Sequence, residues 1–452
     1  MDNLVGGLTD GIAFGSVYAL LAIGLVLAYR TSGVFNIAFG TQAFASGALY
    51  YSLHTTHHWG VLPAFFVSVV LLAPAIGILL DRSLFRYLRS APEMSRLITA
   101  LGLLVAIPGI VQLWFDQNLA INSLGIVPNG DTVYTLGPAT LTRDQIAIIA
   151  STALVAIGIT VLFRYTNVGL RMRAVVESPR MAELSGVDSD RVSMGSWMLT
   201  SFVAGLAGVL LPQITGQQVV DVYFTTLVTA AIVAAVIAAL SSVPIAFAAG
   251  LGFGIVQELL NRFLPTNSVV ASNIRPGLPF IALFLVLVLD PRLRHRRATT
   301  DPLAGVDPPP PAPVSQHRSS QLTWLTRGFW GVAGVAYLYY VFFHGNDSVL
   351  DDAVRITIYA VIFCSIIVVT GLAGQVSFAQ ATFAGIGAAA TAQFATQQGM
   401  SVIVAILLGA LLSAAIGVVV SLPALRLGGI FLTLFTFSIA LAFENVFLKF
   451  PW

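Results

Sequence analysis

The sequence predicts an all-α fold, a polytopic transmembrane helical bundle. Of 452 residues, 57% are hydrophobic and only 9% charged, against the roughly 25% charged expected of a soluble domain. Apolar runs close to the ~20 residues that cross a bilayer as a helix recur along the chain. These runs lack the polar/apolar alternation over about ten positions that a membrane β-barrel shows. Backbone groups in lipid must be satisfied internally, so unalternated apolar runs imply helices. The single cysteine, Cys364, excludes an internal disulfide and a cysteine-based metal cluster. Inside an apolar run it reads as a small buried hydrophobe. The first residues, MDNLVGGLTDG, carry acids and no basic region, so no cleaved signal peptide is expected.

Hydropathy places spans at Leu8–Tyr29, Val34–Ser52, Val61–Leu80, Leu97–Trp114, Gln145–Phe163, Ser193–Gln213, Thr225–Leu240, Pro244–Leu260 and Pro276–Leu289. That is eight or nine spans in a first unit, some short and Gly-rich enough to be half-spans. The arginines are distributed unevenly between the loops. One set of loops holds Arg30; Arg82, Arg86, Arg89 and Arg96; Arg164, Arg171, Arg173, Arg180 and Arg191; and Arg292, Arg294, Arg296 and Arg297. The opposite set holds only Arg143, Arg262 and Arg275. The positive-inside rule makes the first set cytoplasmic and the N-terminus external. Arginines spread over loops at a membrane surface, with lipid as their neighbour, do not form a nucleic-acid patch, and no nucleic-acid partner is expected.

Near Asp290 the composition changes to an Arg- and Pro-rich stretch with Pro308 to Pro311 and Pro313. Such a segment forms neither helix nor core and reads as a semi-rigid cytoplasmic linker. The domain reading is therefore a unit over 1–290, a linker over 291–323 and a partial second unit over 324–452 with about four or five spans. An apolar run from Phe329 to Phe343 returns the chain across the membrane. The second unit repeats the first at a constant offset of 341 residues: Asp10 falls on Asp351, Tyr18-Ala19 on Tyr359-Ala360, Gly33 on Gly374 and Thr41 on Thr382. Ala38, Ala43 and Ala48 fall on Ala379, Ala384 and Ala389 in the same register. After one small gap Ala75-Ile76-Gly77 falls on Ala415-Ile416-Gly417, and Arg86 on Arg426. The repeat reaches the counterpart of the fourth span.

Few residues in the spans carry chemistry. Among ionisable groups only Asp10 and Glu258 lie within the first nine spans; Asp10 reads as a helix-start residue and Glu258 as paired with Arg262 one turn on. No P-loop is present, because that motif ends in Gly-Lys-Ser/Thr and the only lysine is Lys449, followed by Phe450. ATP, if used, is used by another subunit, and no cofactor is expected. His54, His57 and His58 lack acidic or cysteine partners and read as solvated rather than metal-binding. No cluster of catalytic residues converges, so the chain is not read as an enzyme.

The longest polar cytoplasmic loop runs from Thr166 to Arg191. Ser178-Pro179 is a good helix start and Gly186 a good stop, which predicts a short helix of about two turns. Met181, Ala182, Leu184 and Ser185 give it a small, partly apolar surface suited to a groove on a partner. Gly169, Arg173-Ala174, Glu177, Ala182 and Gly186-Val187 together resemble the coupling loop of branched-chain amino-acid ABC permeases. The resemblance extends to Gly15-Ser-Val-Tyr-Ala-Leu20, Gly33-Val-Phe-Asn36-Ile-Ala38-Phe39-Gly40 and Gly205 to Gly208, which are similar to the first permease of that family. Gly371-Leu-Ala-Gly374-Gln-Val-Ser377-Phe-Ala-Gln380 and Gly385-Ile-Gly387 resemble its partner permease. The chain thus looks like a first permease fused to the opening half of the second. The chain departs from the family at Phe39, where histidine is common, and at Thr41, where glutamate is common; the second unit has no coupling loop of its own.

This resemblance implies transport of branched-chain amino acids inward. It also implies cytoplasmic ATPase subunits, an extracytoplasmic substrate-binding protein, another permease chain and a location in the cell's inner membrane. A urea, amide or sugar importer and a stand-alone secondary transporter remain as alternatives. Gly40, Gly47, Gly205 and Gly208 permit close helix approach, and Pro108 and Pro212 are placed to kink or break spans. Broken helices mark substrate paths in transporters. Asn36 and Gln42, with Ser377 and Gln380 near the matching positions of the repeat, either line such a path or bond between helices.

Overall fold

The computed structural model describes residues 2–88, 91, 93–115, 127, 132–136, 139–215, 221–263, 269–294, 320–344, 346–372 and 374–447. Contacts divide the chain into two compact units, residues 1–295 together with 441–452, and residues 296–440. The Pro-rich part of the linker, 295–319, lies outside the described residues.

In chain order the first unit contains α1 (Asp2–Ser32), α2 (Phe39–Tyr51) and α3 (Val61–Phe85), the last a continuous helix with π turns. Then come α4 (Glu93–Trp114), a hairpin of β1 (Val133–Leu136) and β2 (Ala139–Thr142), and α5 (Arg143–Tyr165). After these come α6 (Asn167–Glu177), α7 (Pro179–Leu184), α8 (Ser189–Thr215), α9 (Asp221–Ile237), α10 (Val243–Phe263) and α11 (Val269–Leu289). The second unit has α12 (Ser320–His344), α13 (Asp347–Leu372), α14 (Gln380–Thr396), α15 (Val402–Ala424) and α16 (Ile430–Ala442), whose last residues group with the first unit. Among the described residues eight helices are long and apolar enough to cross a membrane, six in the first unit and two in the second. The chain is a polytopic helical bundle, as its composition predicts.

Helix α1 is the axis of the first unit, packed by α5, α8, α9 and α10 and buried along most of its length. Its closest neighbour is α10, because glycines at helical spacing face one another: Gly11 and Gly15 on α1, Gly250 and Gly254 on α10. A Cβ at Gly250 would lie 2.5 Å from the Cα and N of Ala19, and one at Gly15 would lie 2.8 Å from the Cα of Leu251. Without a hydrophobic force between helices in lipid, such backbone contact is what holds them together. The peripheral helices bury one stripe and present apolar residues outward. On α5 the buried stripe is Ile148, Thr152, Ala156, Ile159 and Phe163, while Leu154, Ile157 and Val161 face out, as a lipid-facing helix requires.

Several expectations are corrected. The span expected over Val34–Ser52 is not one helix. Gly33, at φ +65°, ends α1 with its N–H on the carbonyl of Tyr29 (3.0 Å), and the chain stays non-helical until Phe39. The short helix that follows is buried on every side except at Leu49. The ring of Phe39 packs on Gly24, about 12 Å inside the end of α1 at 1.5 Å per residue, so α2 begins within the bundle. Pro108 and Pro212, by contrast, lie inside continuous helices. The hairpin between α4 and α5, with Val133 opposite Thr142, has no counterpart among the expected elements. It delivers Thr142 to cap α5: Thr142 Oγ1 accepts from Gln145 N (3.2 Å), and Gln145 Oε1 accepts from Thr142 N (2.9 Å), a reciprocal box legible as Thr-x-x-Gln. Cys364 is exposed, because α13 buries none of its residues in this chain.

The two copies of the repeat share backbone detail at the same offset. Gly33 and Gly374 have φ of +65° and +64°, and His58 and Gly399 have +55° and +65°. Phe39 and Gln380 open α2 and α14 after N-caps Ala38 and Ala379 of the same conformation. Val61 and Val402 open the next helix after extended residues Gly60 and Ser401. Trp59 donates to the carbonyl of Leu53 (2.9 Å) as Met400 does to Phe394 (3.2 Å), and Ala64 to Gly60 (3.2 Å) as Ala405 to Ser401 (3.0 Å). Within the second unit α14 and α15 are held by Ser413 Oγ on the carbonyl of Phe383 (2.7 Å) and by Gly409 against Gly387.

Candidate functional site

The arginine-rich end of the first unit is organised around α6 and α7. Thr166 turns the chain out of α5: its hydroxyl accepts from Gly169 N at 3.2 Å, starting α6. Gly169 is required there, since a Cβ would strike the backbone of Leu162 and Phe163. The whole of α6 lies in the stretch expected to be a loop; Met172 and Val175 bury its inner face. Arg173 is half-buried with Nε 3.4 Å from the carbonyl of Gly169, and the carbonyl of Ala174 accepts from Ser178 N at 3.0 Å.

The expected short helix is present as α7. Ser178 Oγ accepts from Met181 N (3.4 Å) and Pro179 is its first residue. Gly186, at φ +80°, donates to the carbonyl of Glu183 (2.9 Å), and Val187 to that of Ala182 (2.9 Å). This closing pair of bonds needs a left-handed residue, which favours glycine. Gly169, Ala174, Ala182 and Gly186 therefore hold the shape of the element. The groups free to touch a partner are others: Glu177 is exposed, Met181 is 50% exposed and Leu184 83%.

Polar contacts tie this element to the bundle. Ser189 at the start of α8 donates to Glu183. Ser193 Oγ donates to the buried Asp81 Oδ1 of α3 (2.9 Å), Arg86 pairs with Asp190 (2.5 Å), and the rings of Phe85 and Trp197 stack at 4.2 Å. Arg30 lies over the ring of Phe163 at 5.4 Å, and Arg96 Nη1 donates to the carbonyl of Gly33 (3.4 Å). Asp81 escaped the sequence reading because it stands one residue beyond an apolar run; α3 continues past it and buries it to 3% exposure.

At the opposite end Asp10 is not a helix-start residue. It lies more than two turns into α1, pairs with Arg262 Nη2 of α10 at 2.5 Å and accepts from Gln145 Nε2 of α5 at 3.3 Å. Glu258 stands 3.9 Å from Arg262, a longer contact than the Asp10 pair. Three helices are thus tied by one guanidinium and one carboxylate. Among the described residues no His, Cys, Asp or Glu group is placed to hold a metal.

Between these ends lie the polar residues expected on the path. Asn36, 0% exposed in the break before α2, has no partner for either amide atom. Gln42 is 1% exposed; its Oε1 accepts from Ser201 Oγ of α8 at 3.0 Å, and its Nε2 has no partner. Ser46 and Thr200, which the sequence reading missed, are buried with unpartnered hydroxyls. Their signal was polar residues four apart, Gln42 and Ser46, inside an apolar run. In the second unit Ser377 is half-buried and accepts from Ala379 N (3.3 Å), and Gln380 keeps a buried, unpartnered Oε1.

Long apolar helices around buried polar groups, with a capped two-helix element at one end, have the build of a multi-pass membrane permease. The chain belongs to the family described as branched-chain amino acid transport system / permease component, which matches residues 7–288. It is 30% identical over 294 residues to the high-affinity branched-chain amino acid transport system permease protein LivH of Escherichia coli K12, covering 62% of this chain and 92% of that protein. It is 26% identical to BraD of Pseudomonas aeruginosa, a permease protein of the same description, over 63% of this chain and 93% of the relative. A probable branched-chain amino acid transport permease protein LivH of Methanocaldococcus jannaschii is 26% identical over 57% of this chain and 81% of its own length. No solved structure matches the chain. The family is one of transport permeases and not of enzymes, and the chain is an integral membrane protein with that role.

Proposed function

We propose that this chain is the membrane permease of an ABC importer that passes branched-chain amino acids inward, with ATP hydrolysed by separate cytoplasmic subunits. The observation that carries the reading is α6–α7. It is a rigidly capped element whose exposed Glu177, Met181 and Leu184 point away from the bundle, while Glu183 and Ser189 join it to α8. A partner that grips Leu184 can move α8, and with it α3, which α8 holds at Asp81 and Phe85. The relatives' names supply the substrate class. On this reading a substrate-binding protein delivers the amino acid on the side of Asp10, and another permease chain completes the pore. The arginine-rich end and the linker face the cytoplasm, the N-terminus faces out, and the protein sits in the inner membrane. The permease itself needs no cofactor.

The test is Leu184→Asp in the assembled importer. At 83% exposure the substitution leaves the fold intact, and loss of ATPase association together with uptake is expected. Unchanged association and uptake would sink the coupling role. Uptake that persists without ATPases in reconstituted vesicles would instead favour a stand-alone transporter. Competition by leucine against urea and ribose separates the substrate classes.

A further inference from the structure

At the arginine-rich end most carboxylates already have partners. Asp81 accepts from Ser193 and Glu183 from Ser189, while Asp188 pairs with Arg191 and Asp190 with Arg86. Among the described residues Arg30 and Arg173 make no ion pair, and Glu177, one turn beyond Arg173, makes none either. The sequence has no Asp or Glu between Asp144 and Glu177. Local packing nevertheless holds the two half-buried arginines together. The Arg30 guanidinium lies over the ring of Phe163 at 5.4 Å. The backbone of Phe163 touches Gly169, where a Cβ would come within 2.5 Å of the Phe163 Cα, and the carbonyl of Gly169 accepts from Arg173 Nε at 3.4 Å. The charge of Arg173 therefore acts on Arg30. Arginine does not shed its proton, so two guanidiniums drawn partly out of water with no carboxylate between them are costly unless an anion joins them.

The surroundings indicate which anion. Helix α6 exposes Val168 and Leu170, and Tyr165 just before it is exposed as well. Leu170 stands one turn before Arg173, on the same side of the helix. Apolar side chains turned outward beside paired cations suit the border of a bilayer, where acyl chains meet phosphates, better than open water. We propose that Arg30 and Arg173 bind the phosphate of an anionic membrane lipid, whose acyl chains lie along Tyr165 and Leu170. Arginine meets phosphate with two parallel N–H···O bonds. A free phosphate offers the same oxygens but nothing for the apolar side chains. The lipid phosphate ties the end of α1 to α6, as the Asp10 carboxylate ties α1 to α10 at the opposite end. The site concerns the chain and its own bilayer, so it stands apart from the importer reading and from Met181 and Leu184 on α7.

The test titrates the purified full chain in detergent with dioleoyl phosphatidylglycerol, dioleoyl phosphatidylcholine or inorganic phosphate, and reads bound lipid by native mass spectrometry. Wild type is expected to hold one phosphatidylglycerol in preference to phosphatidylcholine, with inorganic phosphate failing to displace it. The double variant Arg30→Gln, Arg173→Gln should bind phosphatidylglycerol about 30-fold more weakly, from about 1 kcal/mol for each arginine. Arg82→Gln with Arg292→Gln removes the same charge from exposed arginines and should change binding by less than about threefold, because solvated charges are screened. Arg30→Lys with Arg173→Lys keeps the charge and should restore most of the binding, which separates loss of the site from loss of the fold. Equal binding of the two lipids, or equal weakening by the control pair, would reduce the site to general surface charge and overturn the proposal. Displacement by inorganic phosphate would assign the pair to a free anion and remove the lipid. Loss of ATPase association in the glutamine variant, with lipid binding unchanged, would give the arginines to a protein partner instead.

Discussion

Two glycines two residues apart on α10 have opposite surroundings, and the difference yields a measurable number. A Cβ at Gly250 would lie 2.5 Å from Cα and N of Ala19, whereas a Cβ at Gly252 meets nothing within 4 Å. Alanine gains about 1 kcal/mol over glycine in a helix interior, and this gain is common to Gly250→Ala and Gly252→Ala. At position 250 the contact has to lengthen by about 0.9 Å to reach an ordinary separation of about 3.4 Å, and both atoms it meets are backbone. Helix α1 has no room to retreat, being packed by α5, α8 and α9 as well. Overpacking of this kind costs about 1–3 kcal/mol. Gly252→Ala is therefore expected to stabilise the chain by about 1 kcal/mol, and Gly250→Ala to fall about 1–3 kcal/mol below it. Unfolding of the two purified variants in the same detergent measures the gap. Equal stabilisation by both would refute the α1–α10 contact, and with it the account of why α1 is the axis of the unit.

Four further outcomes are expected. Gly186→Ala forces alanine to φ +80°, costs about 1–2 kcal/mol, and raises amide hydrogen exchange over α7 with a matching loss of ATPase association. Ser178→Ala removes the cap of α7 at about 0.5–2 kcal/mol, while Ser178→Asp restores it; exchange at Met181 separates the two. Asn36→Leu removes a buried amide that has no partner, so the unfolding temperature rises while uptake falls, in line with the stability that functional polar groups forgo. A double-mutant cycle on Asp10 and Arg262, 2.5 Å apart and about one-third exposed, gives a coupling of about 1 kcal/mol that shrinks with salt.

The bundle itself was legible because bilayer thickness imposes a length on every apolar run, and α1, α4 and α5 obey it. The cap and stop of α7 were legible for a similar reason: Ser-Pro and Gly act within a few residues of themselves. What escaped depends on distant partners. Asn36 sits in an apolar stretch that hydropathy reads as one span, yet Gly33 adopts a left-handed conformation that divides it. Pro108 and Pro212, the obvious candidates for such a break, are absorbed inside α4 and α8. Asp10 reads as a helix start in the sequence because its partner, Arg262, is far along the chain. Ser46 looks like an ordinary small residue until α8 is laid beside α2, with Gly205 against it. In α6–α7 the family-like residues Gly169, Ala182 and Gly186 set the shape, whereas the exposed Met181 and Leu184 carry no strong motif.

The shared backbone of the two copies fixes a spacing as well as a conformation. From Gly33 to Val61 and from Gly374 to Val402 the chain is equally long, although most side chains between differ. Within the first copy this segment contains α2, which has no outward face to absorb an error. One inserted residue would turn every later side chain of α2 by about 100°, carrying Gln42 away from Ser201 and Ser46 away from Gly205. Phe39 can stand where the other copy has Gln380, and His58 where it has Gly399, because an exchange of letters leaves the count unchanged. Such a stretch is a cassette of set length, in which the number of residues is held more tightly than most of their identities.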